Sequence, residues 1–272
     1  MTATTTGKPA ITTRVHDGVG TIEISNPPRR NALSVSMMLD LSAALHALDS
    51  DPDVRVVVLR GSGEEAFVSG ADLSESEFGA GREEAQERSD AALDRLFTRL
   101  AHLSVPLIAR IHGHCLGAGV AVALHADLRC ADTRTVLSIP AARLGIGYPL
   151  ARTADLVHTV GPSAAADLLY TGRRVPAAEA LAMGLLDRVV EPERLGEVVD
   201  GLAATIAANA PLSVRAAKAA ITAVRRTAGI APDHDEITRR AEAEIARCAA
   251  SGDRREGTTA FLEKRTPHFT GR

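Results

Sequence analysis

The chain has 272 residues, 45% hydrophobic and 24% charged, with a formal net charge of −3, enough for one sizeable core and without the charge footprint of a nucleic-acid binder. Its three cysteines, Cys115, Cys130 and Cys248, show neither CxxC nor Cys/His ligand spacing, so no disulfide framework or zinc site is expected and a reducing cytoplasmic setting fits. The polar stretch Met1-Thr2-Ala3-Thr4-Thr5-Thr6-Gly7-Lys8 lacks a signal-peptide pattern and no run is long enough to span a bilayer, so a soluble protein without a membrane partner is expected.

Alternating strand-like and helix-like segments in the first half predict an α/β domain. Ile11 to His16 and Thr21 to Ser25 read as strands joined at Asp17-Gly18. Ser34 to Leu48 reads as a helix with Met38, Leu41, Leu45 and Leu48 on one face. Val54 to Leu59 is a short buried strand. Gly79 to Asp90 is polar and charged, which predicts a mobile loop leading into a helix over Ala91 to Leu103. An apolar strand over Pro106 to Ile111 then runs into Gly117-Ala118-Gly119 and an alanine-rich helix.

From Pro162 onward the pattern is helical: Ser163 to Tyr170, Ala177 to Met183, Leu195 to Ala208, Ser213 to Thr227 and His234 to Ala249, with only the short strand Arg188-Val189-Val190. The expected organisation is a core over residues 1–200 and a helical region over 201–272 suited to a cap or an oligomer contact. With five Phe, two Tyr and no Trp, the core must be built from Leu, Val, Ile and Ala.

Two separated stretches read as halves of an oxyanion hole: Phe67-Val68-Ser69-Gly70-Ala71-Asp72-Leu73 and His112-Gly113-His114-Cys115-Leu116-Gly117-Ala118-Gly119. In the first, a strand ends in a small-residue turn that leaves backbone N–H groups accessible, and Ala71 is the expected donor. In the second, a strand meets a helix whose first N–H groups have no intrahelical partner, and Ala118 is the expected donor. Two N–H groups sharing one thioester oxygen stabilise an enolate or a tetrahedral oxyanion.

These residues, with Gly20 to Pro27, Asn31-Ala32-Leu33, Leu144-Gly145-Ile146, Thr171-Gly172, Ala178-Glu179-Ala180, Gly184-Leu185 and Phe261 to Pro267, resemble the crotonase (enoyl-CoA hydratase/isomerase) family over nearly the whole chain. The resemblance implies a ββα spiral with two roughly perpendicular sheets and a helical C-terminal region. It also implies an acyl-CoA substrate, with coenzyme A carried as part of the thioester and no metal or redox cofactor, and a homotrimer or dimer of trimers. Ser69, Asp72 and Leu73 in the first donor loop, Arg29 and Arg30 before Asn31, and Lys264 in the terminal motif are the expected coenzyme A contacts.

Two departures bear on chemistry. Hydratases of this family carry one glutamate two positions after the Gly-x-Gly of the second loop and another after the proline of the following strand. Here those positions are Ala121 and Ala141, so the usual water-adding machinery is absent and isomerisation, decarboxylation or another lyase step is expected. Arg152 stands where a second glycine is usual and reads either as a surface arginine paired with Asp155 or as a group that binds an acyl carboxylate. Tyr148 lies where methylmalonyl-CoA decarboxylase, of the same family, has an active-site tyrosine; the alternative is packing beside Pro149. Ala71, Ala118, Tyr148 and Arg152 form the expected catalytic set. His112, His114 and Cys115 read either as titrating groups or as core filling, and Asp127 as a turn-ordering residue. A non-catalytic acyl-CoA binder is the alternative to an enzyme.

Overall fold

The computed structural model describes residues 8–72, 82–226 and 236–272. Its elements, in chain order, are β1 (Ala10–His16), β2 (Val19–Ser25), α1 (Val35–Ser50), β3 (Val56–Gly61), β4 (Ala66–Val68), α2 (Arg82–Ala101), β5 (Leu107–Ile111), β6 (His114–Leu116), α3 (Ala118–Leu124), β7 (Leu128–Asp132) and β8 (Val136–Ser138). These are followed by α4 (Leu150–Thr171), β9 (Val175–Pro176), α5 (Ala177–Ala182), β10 (Arg188–Val190), α6 (Pro192–Ala208), α7 (Pro211–Arg226), α8 (Glu236–Ala249) and α9 (Gly252–Glu263).

Asp17 (φ 48°) and Gly18 (φ 77°) both take left-handed backbone, as a two-residue hairpin turn between right-twisted strands requires, so β1 and β2 pair antiparallel. From β2 the sheet continues in parallel through β3, β5, β7 and β10, in the order β1-β2-β3-β5-β7-β10. A parallel sheet must be covered on both faces, and the alternation along β3 does this. Val57 and Leu59 enter the main core with α1 and α2, whereas Val56 and Val58 pack on the other face against Leu195, Val199 and Ala203 of α6.

Three successive ββα turns generate the rest: β3-β4-α2, β5-β6-α3 and β7-β8-α4. In each, the first strand joins the six-stranded sheet and the second joins a smaller sheet of order β4-β6-β8-β9, giving the expected spiral. Aliphatic side chains dominate the core as expected, with Phe67 and Phe97 its only phenylalanines among the described residues.

Several sequence expectations need correction. Residues 82–90 are helical, not loop: Glu83 and Glu84 occupy the first turn of α2, where acidic side chains complement unpaired N–H groups. Residues 79–81 of the expected loop lie outside the described residues. Beyond Pro162 the structure holds a second strand besides β10, the short β9, which pairs antiparallel with β8. Residues 150–160 are also helical, forming the first part of α4 before a break at Gly161 (φ 78°, ψ 164°). The expected division at residues 200/201 falls inside α6, which covers one face of the larger sheet.

Asn31 stitches the N-terminal segment to the loop after β3. It is 1% exposed with φ 59°, its amide nitrogen donates to the Ser62 and Ala66 carbonyls, and its amide oxygen accepts from Asn26 N–H. Asn31→Ala is expected to destabilise the protein by about 3 kcal/mol, because buried backbone groups lose partners and alanine lacks the side-chain amide that lets asparagine tolerate left-handed backbone. Thermal denaturation checks this: the midpoint should fall by roughly 6–12 °C, and Asn31→Gly should recover only the backbone part, about 1 kcal/mol.

Candidate functional site

The smaller sheet brings the two expected donor loops side by side. β4 pairs with β6 in parallel, with Val68 opposite Cys115, so the segments that follow both strands leave the sheet at the same end. A Cβ on Gly117 would lie 3.9 Å from Gly70 Cα, and one on Gly70 would lie 3.7 Å from the Leu116 carbonyl oxygen. Gly119 is more demanding: a Cβ there would overlap the Val68 carbonyl, so only glycine lets α3 start this close to β4.

Hydrogen bonding around the first loop determines which groups are spent. The segment 30–33 runs along the outer edge of residues 69–72: Ser69 N–H donates to Arg30 O, Leu33 N–H to Gly70 O, and Asp72 N–H to Leu33 O. Because Leu33 bridges the residues on either side of Ala71, the Ala71 N–H is directed away from Leu33, toward the edge followed by β6 and α3. In the second loop Gly117 (φ 53°) donates to Ser138 O and its carbonyl accepts from Ala121 N–H. Ala118 is the first residue of α3. Among the described residues neither Ala71 N–H nor Ala118 N–H donates to a protein acceptor.

The two alanines expected in place of carboxylates flank this junction. Ala121 follows Ala118 by three residues on the same face of α3 and is 2% exposed. Ala141 begins a 3₁₀ turn after β8, the strand whose Ser138 holds Gly117, and is 9% exposed. Cys115 is fully buried, and burial pushes its thiol far up, so it is core filling and not a nucleophile near neutrality. Burial likewise lowers His112. Asp127 orders its turn as expected, accepting from Leu107 N–H at 2.7 Å and from Lys218 Nζ at 2.8 Å.

Arg29, Arg30 and Ser69 come together on one rim: Ser69 Oγ donates to Arg29 O at 2.9 Å, and Arg30 makes an exposed 3.4 Å ion pair with Glu65. Asp72 closes the same loop, while Leu73 lies outside the described residues. Lys264 is not brought to this rim by any contact among the described residues. It caps α9 at φ 55°, and the tail beyond it is held by Arg55, at the start of β3, through the Phe269 carbonyl.

Arg152 pairs with Asp94 of α2, at 3.4 Å, and not with Asp155. Its guanidinium lies 4.3 Å from the Phe97 ring centroid. Asp155 instead faces His125 Nε2 at 3.6 Å, while His125 Nδ1 donates to Ala121 O at 2.9 Å. Phe97, His125, Arg152, Asp155, Lys218 and Arg225 line one cavity of about 670 Å³. Sequence reading missed His125 as a lining residue, although Ala118, Ala121 and His125 have the spacing of one helical face. Tyr148 packs against the main core with its hydroxyl buried and without a hydrogen-bond partner among the described residues.

Comparison with known proteins agrees with this architecture. A family model described as enoyl-CoA hydratase/isomerase matches residues 14–272. The chain is 38% identical over 255 residues to a putative enoyl-CoA hydratase from Thermus thermophilus, covering 92% of this chain and 97% of that protein. It is 34% identical over 247 residues to a crotonyl-CoA hydratase from Syntrophomonas wolfei, covering 90% and 92%. A crystal structure of an enoyl-CoA hydratase/carnithine racemase from Magnetospirillum magneticum superposes with a TM-score of 0.87 at 30% identity, covering 98% of this chain and 97% of that one. By fold and by these similarities the protein is an acyl-CoA enzyme. It belongs to the enoyl-CoA hydratase/isomerase family.

Burial pushes the Tyr148 phenol up to about 12, with the Arg152 charge opposing this. Because the folded value exceeds the unfolded one of about 10, this group contributes its full share of stability below pH 10 and loses it as pH rises toward 12. In a spectrophotometric titration, the tyrosinate absorbance removed by Tyr148→Phe should appear at about pH 12; appearance near pH 10 would show an accessible phenol.

Proposed function

We propose that the chain holds an acyl-CoA thioester oxygen between the Ala71 and Ala118 N–H groups while an enolate forms, and that its native step is not hydration of a simple enoyl-CoA. The observation that carries this reading is the pair of donors on abutting loops, neither bonded to a protein acceptor among the described residues. Each such donor is typically worth roughly 10²–10³ in rate, because it meets the developing charge without reorganising.

Ala121 and Ala141 support the second half of the proposal. Adding water requires one group to take its proton and another to protonate the α-carbon, and methyl groups do neither. Decarboxylation makes a smaller demand: the bond to the departing carboxylate breaks, carbon dioxide leaves, and the electron pair becomes the enolate. Only a later proton is needed at the α-carbon, and the un-ionised Tyr148 hydroxyl is the candidate donor. Isomerisation, which moves a proton between two carbons, is the other enolate route. A non-catalytic acyl-CoA binder is the second reading, favoured by the same two alanines.

Coenzyme A would lie along the rim formed by Arg29, Arg30, Ser69 and Asp72, Leu73 being a proposed contact outside the described residues, and the scheme uses no metal or redox group. Lys264 would then serve the site of a neighbouring copy. Leu150, Tyr170, Phe261 and Leu262 expose much of their apolar surface, which supports association between copies. The assembly proposed is a homotrimer or a dimer of trimers, and the setting the cytoplasm. Sedimentation velocity should give three or six copies; a monomer at micromolar concentration removes that part of the proposal.

Steady-state assay tests the chemistry. Crotonyl-CoA hydration should fall below the usual enzymatic range of ~1–10³ s⁻¹, whereas a panel of malonyl-type and β,γ-enoyl thioesters should include one that is turned over. Ala118→Pro, which removes one donor at a position where a helix tolerates proline, should lower kcat/KM on that substrate by roughly 10²–10³. Efficient crotonyl-CoA hydration refutes the proposed reaction class. Tight binding of the whole panel without product favours the non-catalytic reading.

A further inference from the structure

We infer that the Arg152 cavity receives the far end of the acyl chain and that this end carries a second carboxylate; the inference rests on the acyl-CoA reading above. The cavity lies at the opposite end of α3 from the Ala118 donor. Leu124 and His125, in the last turn of that helix and its cap, line it. The seven residues of α3 rise about 10 Å, so a chain that starts at the thioester and follows the helix needs about suberyl length to bring its end carbon to the cavity.

Arg152 is built as an anion-binding group. Its side chain is 16% exposed, and the face of Phe97 fixes the guanidinium plane from one side. Its protein counter-ion is Asp94, whose side chain is 79% exposed and whose 3.4 Å contact is long for a charge-assisted hydrogen bond. The remaining guanidinium N–H groups have no hydrogen-bond partner among the described residues, so a two-oxygen acceptor can engage the fork while Asp94 turns out to solvent.

The other lining groups leave that role to a ligand. Asp127 is held by Lys218, and Asp155 faces His125. Arg225 of α7 adds a half-buried cation with no ion pair among the described residues. A methyl-ended chain would further desolvate this arginine without giving it an acceptor, which is unfavourable. A carboxylate-ended chain satisfies it, so the same residue selects for diacid esters and against simple ones.

Isothermal titration of chain-matched pairs, adipyl-CoA against hexanoyl-CoA and suberyl-CoA against octanoyl-CoA, tests this. Wild-type protein should bind one or both diacid esters at least about tenfold more tightly than the matched methyl-ended ester. Arg152→Gln should make the two esters of a pair equal. Arg152→Lys, which keeps the charge but loses the fork, should retain part of the preference. Arg225→Gln offers a second variant should Arg152→Gln fold poorly, and should weaken the diacid ester alone. Equal wild-type affinities within both pairs, or a preference that survives Arg152→Gln, overturn the carboxylate site while leaving acyl-CoA binding intact. Failure to bind any of the four esters overturns the acyl-CoA reading itself and this inference with it.

Discussion

Everything at the proposed reaction centre depends on a backbone-to-backbone approach that only hydrogen at Cα permits. Gly119 sets the start of α3 against the Val68 carbonyl, and Gly117 sits against Gly70. A side chain at residue 119 would push helix and strand apart, and the two N–H groups on the joined loops would move with them. Asn31 secures the other side of the same junction by binding the Ser62 and Ala66 carbonyls, so the first loop is clamped between an amide network and a helix. Rigidity here matters chemically, since donors that must move to meet a charge lose much of their advantage over water.

The two sheets divide the labour. The larger one, covered on both faces by aliphatic side chains, supplies the core; the smaller one consists of strands of two or three residues whose role is to deliver loops to one edge. That division explains what the sequence revealed. The β1–β2 hairpin announced itself through Asp17-Gly18, α1 through its apolar spacing, and the donor loops through small residues in places where a core position would carry a larger side chain. Of the smaller sheet only β4 was legible, as the strand before the first donor loop; β6 and β8, of three residues each, carry no measurable period. The start of α2 was hidden for a different reason: Arg82 to Asp90 is polar nearly all round, and its helicity comes from packing further along and from acidic residues in its first turn.

The site was legible where the backbone carries it and opaque where side chains from distant segments do. Ala71 and Ala118 were identifiable from local composition. The partner of Arg152 was not, because Asp94 lies 58 residues earlier and only the spiral brings α2 and α4 together. Lys264 illustrates the converse: a terminal motif suggested a ligand contact, yet the tail beyond it is anchored at the start of β3 within its own chain.

The break at Gly161 divides α4 into two segments, of which only the first borders the cavity. There Ala151, Arg152 and Asp155 line it while Leu156 enters the main core, and beyond the break Ala165 and Leu168 are buried in that core. With the helical hydrogen-bond ladder interrupted between them, a change in the upstream half need not propagate as a rotation of the downstream half. Evolution can therefore retune what this chain accepts without renegotiating what keeps it folded.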